Sequence, residues 1–134
     1  MKTFPLQIIT AEGIKFKGDA DAVMVRGVSG DIGIRANHID YVTALGTGKA
    51  TVTENGKKRI AACSRGVLTV ISGEVTVLAS SFEWADEIDL QRAKTAEEKA
   101  KKRIAQAGDN KQEYEAGKRK LQRAQTRIKV AENK

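Results

Sequence analysis

Val75-Thr76-Val77-Leu78-Ala79-Ser80-Ser81-Phe82-Glu83-Trp84-Ala85-Asp86-Glu87-Ile88-Asp89-Leu90-Gln91-Arg92-Ala93-Lys94 changes character half-way along. Its first residues are β-branched and alternate. Its last are the Ala, Gln, Arg and Lys of a helix. The rest of the chain follows this break near Glu83. Residues 1–84 hold 10 of the 12 glycines and every aromatic residue except Tyr114, with 10 Lys+Arg against 8 Asp+Glu. Residues 85–134 hold 14 Lys+Arg against 9 Asp+Glu, with only Gly108 and Gly117 for glycine. The expected organisation is a sandwich over 1–84 and a helical hairpin over 85–134, an α+β chain.

Working back from the break, short alternating runs read as strands at Phe4–Thr10, Ile14–Lys17, Ala22–Val28, Asp31–Ile34, Val42–Leu45, Ala50–Glu54, Lys58–Ala62, Val67–Ile71 and Val75–Ala79. Asn55-Gly56 is the strongest hairpin signal, because both central residues accept positive φ. Ser72-Gly73 marks another turn. Many short strands at this spacing imply an antiparallel sandwich or barrel. Working forward, Ala107-Gly108-Asp109-Asn110 breaks two helices, and Asp109 or Asn110 can cap the second. Ala93, Ala96, Ala100, Ile104 and Ala107 form one seam; Tyr114, Gly117, Leu121, Ala124, Ile128 and Ala131 form its partner. At roughly 0.8 kcal/mol per buried methylene, a seam of alanines gains far less than one of leucines. The pair reads either as an ordinary hairpin or as one that opens.

The 134 residues carry a net charge of +7, and no stretch is apolar for the roughly 18–20 residues of a membrane span. The N-terminus lacks an apolar signal core, so the expected compartment is the cytosol. Cys63 is the only cysteine and His38 the only histidine, which excludes an internal disulfide and a Cys- or His-cluster metal site; no metal is expected. Catalytic Ser/His/Asp, Cys–His and phosphate-loop patterns are missing, so the chain does not read as an enzyme. Cys63 reads as a small buried apolar residue. His38 reads as a turn histidine, and Trp84 as packing between the halves. Arg119, Arg123 and Arg127 recur every four residues, and Arg92, Lys99 and Arg103 also share one face. Such columns are either solvated, offset by Glu115 and Glu98, or meet an anion. A basic nucleic-acid-binding hairpin is the alternative, but the sheet half is nearly neutral and aromatic residues are only 4%, too few for stacking platforms.

The order of parts and five motifs resemble the epsilon subunit of bacterial F-type ATP synthases. The motifs are Gly30-Asp31-Ile32-Gly33-Ile34 with Asn37-His38 and Thr43-Ala44-Leu45; Ser64-Arg65-Gly66-Val67-Leu68-Thr69-Val70; Val75-Thr76-Val77-Leu78-Ala79; Glu87-Ile88-Asp89-Leu90-Gln91-Arg92-Ala93; and Arg127-Ile128-Lys129-Val130-Ala131-Glu132. Arg65 stands where that family commonly has glycine, and Arg35-Ala36 and Asp40 stand where it commonly has proline.

The resemblance implies a non-catalytic rotor subunit on the cytoplasmic face of the bacterial membrane, joined to the membrane only through the complex. It implies that the sandwich binds the gamma subunit and the c-subunit ring, the latter through Asp31 and His38. It implies a hairpin that folds on the sandwich or extends to restrain hydrolysis at the alpha/beta ring, through Arg103, Arg119, Arg123 and Arg127. In Bacillus-like members the folded hairpin binds ATP as a regulatory ligand. The matching residues are Glu83, Ile88, Asp89, Arg92, Ala93, Lys99, Arg123 and Arg127, with Lys99 where arginine is usual. Lysine keeps the charge and loses the bidentate fork. No nucleic acid is expected as a partner. The composition break predicts that a 1–84 fragment folds alone and still joins gamma; an unfolded fragment in circular dichroism, or failure to co-purify with gamma, counts against two modules.

Overall fold

The computed structural model describes residues 2–133. Ten strands precede two helices: β1 (Phe4–Thr10), β2 (Gly13–Ala20), β3 (Ala22–Gly27), β4 (Gly30–Arg35), β5 (Tyr41–Leu45), β6 (Gly48–Glu54), β7 (Lys57–Cys63), β8 (Gly66–Ile71), β9 (Glu74–Ala79) and β10 (Phe82–Trp84). A single 3-10 turn, Ala85–Glu87, leads into α1 (Leu90–Gln106) and α2 (Lys111–Glu132). The strands form one hydrogen-bonded path, β10-β7-β6-β3-β5-β8-β9-β1-β2, with β4 beside β3. The path curls until β2 touches β6, giving a barrel-like sandwich.

Period-two alternation explains this wrapping. Along β1, Phe4, Leu6 and Ile8 turn inward while Pro5 stays exposed. Their inward neighbours are Val23, Val25, Ile34, Leu68, Val70, Val77 and Phe82, all nearly inaccessible to water. Asn55 and Gly56 have φ of 53° and 75°, the left-handed pair that a tight β6–β7 turn requires. Ser72 and Gly73 repeat the arrangement between β8 and β9, at 51° and 82°. Two aspartates brace these turns: Asp21 Oδ2 accepts from Gly56 N at 2.9 Å, and Asp40 Oδ1 from Ser72 N at 2.9 Å.

All nine expected strands are present, most of them a residue or more longer. Two features differ from the sequence reading. β1 and β9 pair in parallel, the one exception to antiparallel order among the described residues. β10 was not expected at all; it pairs with the end of β7, Phe82 opposite Cys63 and Trp84 opposite Ala61. This second feature corrects the place of Trp84. Its ring lies in the sheet core, edge-on to Phe82 at 4.9 Å and to Phe16 at 6.3 Å, with the Arg59 guanidinium 3.8 Å from its centroid.

The junction between the halves is a separate, smaller cluster: Ala62, Ala85, Ile88, Val130 and Ala131. It roots the C-terminal end of α2 on β7, so the hairpin lies folded against the sheet. Asp89 caps α1 by accepting from Arg92 N at 3.1 Å, and Asn110 rather than Asp109 caps α2 by accepting from Glu113 N at 3.1 Å. Ala93, Ala100, Gly117 and Ala124 are buried along the expected seam, and Ile104 and Leu121 are half-buried. The helices approach so closely that a Cβ on Gly117 would lie 2.8 Å from Ile104 Cγ1.

Gly66, at the start of β8, is packed harder still. A Cβ there would collide with the Leu78 carbonyl oxygen and lie 2.8 Å from Ala79 Cα, both fixed backbone. Gly66→Ala is therefore expected to destabilise the sandwich by about 1–3 kcal/mol or more, read as a lower urea midpoint at unchanged slope. An unchanged midpoint contradicts this packing.

Candidate functional site

The seat of the hairpin offers room for a ligand between sheet and helices. Its small residues leave a cleft of about 410 Å³ between the two helices and the sheet end. One wall is Thr47, Cys63, Ser64, Ser81 and Glu83; the other is Lys99, Arg103, Arg123, Thr126 and Arg127. Helical spacing accounts for the second wall. Lys99 and Arg103 lie four apart on α1, Arg123 and Arg127 four apart on α2, and each pair shares a face. A volume of this order suits a drug-sized or nucleotide-sized molecule.

Charge in the cleft is partly compensated. Arg127 Nε lies 2.7 Å from Glu83 Oε1, the one ion pair between sheet and hairpin among the described residues. The approach is off-line: Nε is buried without a hydrogen-bond acceptor, and Nη2 donates to Glu83 Oε2 at 3.4 Å instead. Arg103 donates to Glu113 twice, at 2.8 and 3.2 Å, tying α1 to α2 near their shared turn. That bridge raises the Arg103 pKa and holds the Glu113 carboxyl below the usual carboxylate range, first through the hydrogen bond and then through charge. Arg119 and Arg123 have no ion pair among the described residues. The offsets expected from Glu98 and Glu115 are not made; Glu113 and Glu83 take that part.

A second cleft, of about 440 Å³, adjoins the first through Ser81, Glu83 and Arg127 and adds Glu12, Lys15, Glu87 and Arg92. The eight nucleotide candidates thus divide. Glu83, Lys99, Arg123 and Arg127 line the main cleft, and Arg92 faces the adjoining one. Ile88 belongs to the junction cluster, Ala93 is buried in the seam, and Asp89 is occupied as the α1 cap. Asp89 meets Arg92 through the Arg92 backbone N–H, with no ion pair between their side chains among the described residues. Cys63, buried beneath the hairpin, has its thiol pKa pushed up to about 11 by desolvation.

Asp31 and His38 lie apart from this cleft, towards opposite ends of β4. Asp31 is held by Arg26 Nε at 2.6 Å. His38 is half-buried, its Nδ1 2.7 Å from the Ile39 carbonyl oxygen and its ring tilted 5.9 Å from Tyr41.

Two family models match along the chain. ATP synthase, Delta/Epsilon chain, beta-sandwich domain, covers residues 3–85; ATP synthase, Delta/Epsilon chain, long alpha-helix domain, covers residues 86–132. The chain belongs to the ATP synthase delta/epsilon-chain family. Relatives agree with that membership over their full length. The ATP synthase epsilon chain of Caldicellulosiruptor bescii is 39% identical over 98% of this chain and 96% of its own. That of Shouchella clausii is 38% identical over 100% and 98%, and that of Bacillus velezensis 37% over 99% and 100%. Among solved structures, a chain of the Euglena gracilis mitochondrial ATP synthase, in a complex of OSCP, F1 and c-ring, has the same fold. Its TM-score is 0.81 at 21% identity, covering 92% of this chain and 78% of that one. A chain of the Tetrahymena thermophila central stalk and c-ring gives a TM-score of 0.63 at 9% identity.

Within this delta/epsilon chain, sequence reasoning missed Arg103–Glu113, which bridges residues ten apart across the helix turn. The signal was available: both residues flank the break symmetrically. Because the folded Glu113 pKa is depressed, the bridge contributes fully above about pH 4.5 and is lost as pH falls through the folded value. Glu113→Gln is expected to lower the hairpin's melting temperature slightly at pH 7, with parent and variant converging as acidification protonates Glu113. Equal melting at pH 7 contradicts a bridge in solution.

Proposed function

We propose that this chain is a non-catalytic central-stalk subunit of a proton-translocating ATP synthase whose hairpin restrains ATP hydrolysis and is held folded by ATP. The observation that carries the reading is the shared ownership of the main cleft. Glu83, Ser64 and Ser81 come from the sheet, Lys99 and Arg103 from α1, Arg123 and Arg127 from α2. A ligand in that space touches every part that must separate on opening, so it binds the folded form and not the open one. Arg123, which has no ion pair among the described residues, suits phosphate oxygens, as does Arg127 once drawn from its off-line contact with Glu83.

The sandwich is the attachment to gamma and the c-ring. Support comes from its exposed apolar residues on neighbouring strands: Val42 is 66% exposed, Leu78 49% and Val67 38%, with Ala44 opposite Val67 and Val67 opposite Leu78. Exposed apolar groups on one surface mark a protein contact. Ile39, at 78% the most exposed of them, neighbours His38 in the stretch assigned to the c-ring. The hairpin's contact with the alpha/beta ring uses Arg103, Arg119, Arg123 and Arg127. Opening frees Arg127 from Glu83. In this reading the chain attaches at the cytoplasmic membrane face through the other subunits; no helix of the described residues is long and apolar enough to cross a membrane. The nucleic-acid reading is weaker, since Arg103 and Arg127 already face carboxylates.

A ligand specific for the folded form stabilises it by RT ln(1 + [L]/Kd), about 2.7 kcal/mol at a hundredfold excess over Kd. ATP is accordingly expected to raise the hairpin's melting temperature in the isolated chain, and Arg123→Ala or Arg127→Ala to remove most of the rise. Lys99→Arg is expected to strengthen it. Calorimetry showing no ATP binding at millimolar concentration eliminates the nucleotide claim. Hydrolysis by the assembled complex that is unchanged after deleting residues 85–134 eliminates the inhibitory one.

A further inference from the structure

Beside the main cleft, on the side away from Glu83, lies a hollow of about 80 Å³ lined by Arg65, Arg119 and Arg123 with the hydroxyl-bearing Thr47, Ser64 and Ser80. No carboxylate lines it, and none of its three arginines has an ion pair among the described residues. This contrasts with Arg103 and Arg127, which each face a glutamate. Like charges one helical turn apart repel by a few tenths of a kcal/mol, so Arg119 and Arg123 alone favour an anion between them. Arg65 adds a third cation from the other module. We infer that Arg65, Arg119 and Arg123 form a phosphate-group subsite that stitches α2 to the β7–β8 turn.

The volume selects the ligand class. A water occupies about 30 Å³ of liquid, so 80 Å³ holds two or three waters or one tetrahedral oxyanion, and no nucleoside. Guanidinium forks match phosphate oxygens bidentately, and the hydroxyls donate further hydrogen bonds.

The sheet side of the subsite is rigid. Ser80 N donates to the Arg65 carbonyl oxygen at 2.9 Å and Ser64 N to that of Ser81 at 3.0 Å, while the Ser64 and Ser81 hydroxyls lie 2.6 Å apart. Gly66 then packs against the Leu78 carbonyl, fixing the backbone that carries Arg65. The opposite side is two successive turns of α2. An anion between them is therefore a counter-ion for the folded arrangement alone. Thr47, Ser64 and Arg123 line both this hollow and the main cleft, so the two spaces are continuous. The phosphate group is either free inorganic phosphate or the tail of a nucleotide in that cleft; only the second source rests on the nucleotide reading above.

The test uses the full chain, isotopically labelled, titrated with sodium phosphate at ionic strength held constant with sodium chloride. The arginine Nε–H resonances are followed by NMR. Saturable shifts at Arg65, Arg119 and Arg123, with Arg103 unmoved, are expected. Arg65→Gln and Arg119→Gln, both at exposed positions, are each expected to weaken phosphate at least fivefold. A linear drift shared by all arginines overturns the subsite, as does saturation that neither substitution weakens. ATP and ADP titrations of parent and Arg65→Gln then name the source. Selective weakening of ATP assigns the nucleotide tail. Unchanged ATP and ADP alongside weakened inorganic phosphate assign the free ion. Should neither nucleotide bind, the nucleotide reading fails while the phosphate titration still decides the subsite.

Discussion

Five buried side chains, Ala62, Ala85, Ile88, Val130 and Ala131, with half-buried Ile60 and Leu90 against them, hold the helical hairpin on the sheet, and three of the five are alanines. Full burial of an Ile or Val contributes about 1.5–3 kcal/mol, so the two large members supply most of the joint. The sheet core is much richer, with Phe82, Leu6, Ile8, Ile34 and Leu68 all fully buried. Two apolar bodies of unequal strength therefore meet at a weak contact. The Glu83–Arg127 pair, the main cleft and the arginine-lined hollow all exist only while that contact holds. Its strength is of the same order as the free energy a millimolar metabolite can supply, which is the condition for ligand control of the junction.

What the sequence made legible follows locality. Asn55-Gly56 and Ser72-Gly73 announced turns because positive φ is a property of the residues themselves. The helical seam was legible because periodicity is local too. Its one omission was Val130, which leaves the interhelical stripe to face β7 and so breaks the three-four spacing. β10 escaped notice because Phe82-Glu83-Trp84 alternates over only three residues, too few to stand out against the composition break. The parallel β1–β9 pairing joins residues nearly seventy positions apart, a relation that no window contains.

The candidate site was legible as residue types and obscure as a grouping. Spacing placed Lys99 with Arg103 and Arg123 with Arg127, yet the partner of Arg127 is Glu83, 44 positions away. Ile88 and Ala93 match a motif, and the fold uses both for packing. Asp89 similarly spends its carboxylate on the helix start. Arg65 drew notice only as a departure from glycine, since nothing in the sequence tells that its turn faces α2.

Between Trp84, the last residue paired in the sheet, and Leu90, the first of α1, run residues 85–89. Fully extended they span only about 17 Å, so they act as a short hinge pin rather than a tether. Any departure of the hairpin pivots at one corner of the sandwich and moves everything beyond it as a lever. α1 with 17 residues and α2 with 22 would measure about 25 and 33 Å, close to 60 Å end to end if the turn between them straightened. A contact one or two side chains deep at the pivot thus sets where the distant tip of the arm lies, and a change of a few ångströms beside Ile88 is magnified several-fold at Lys111.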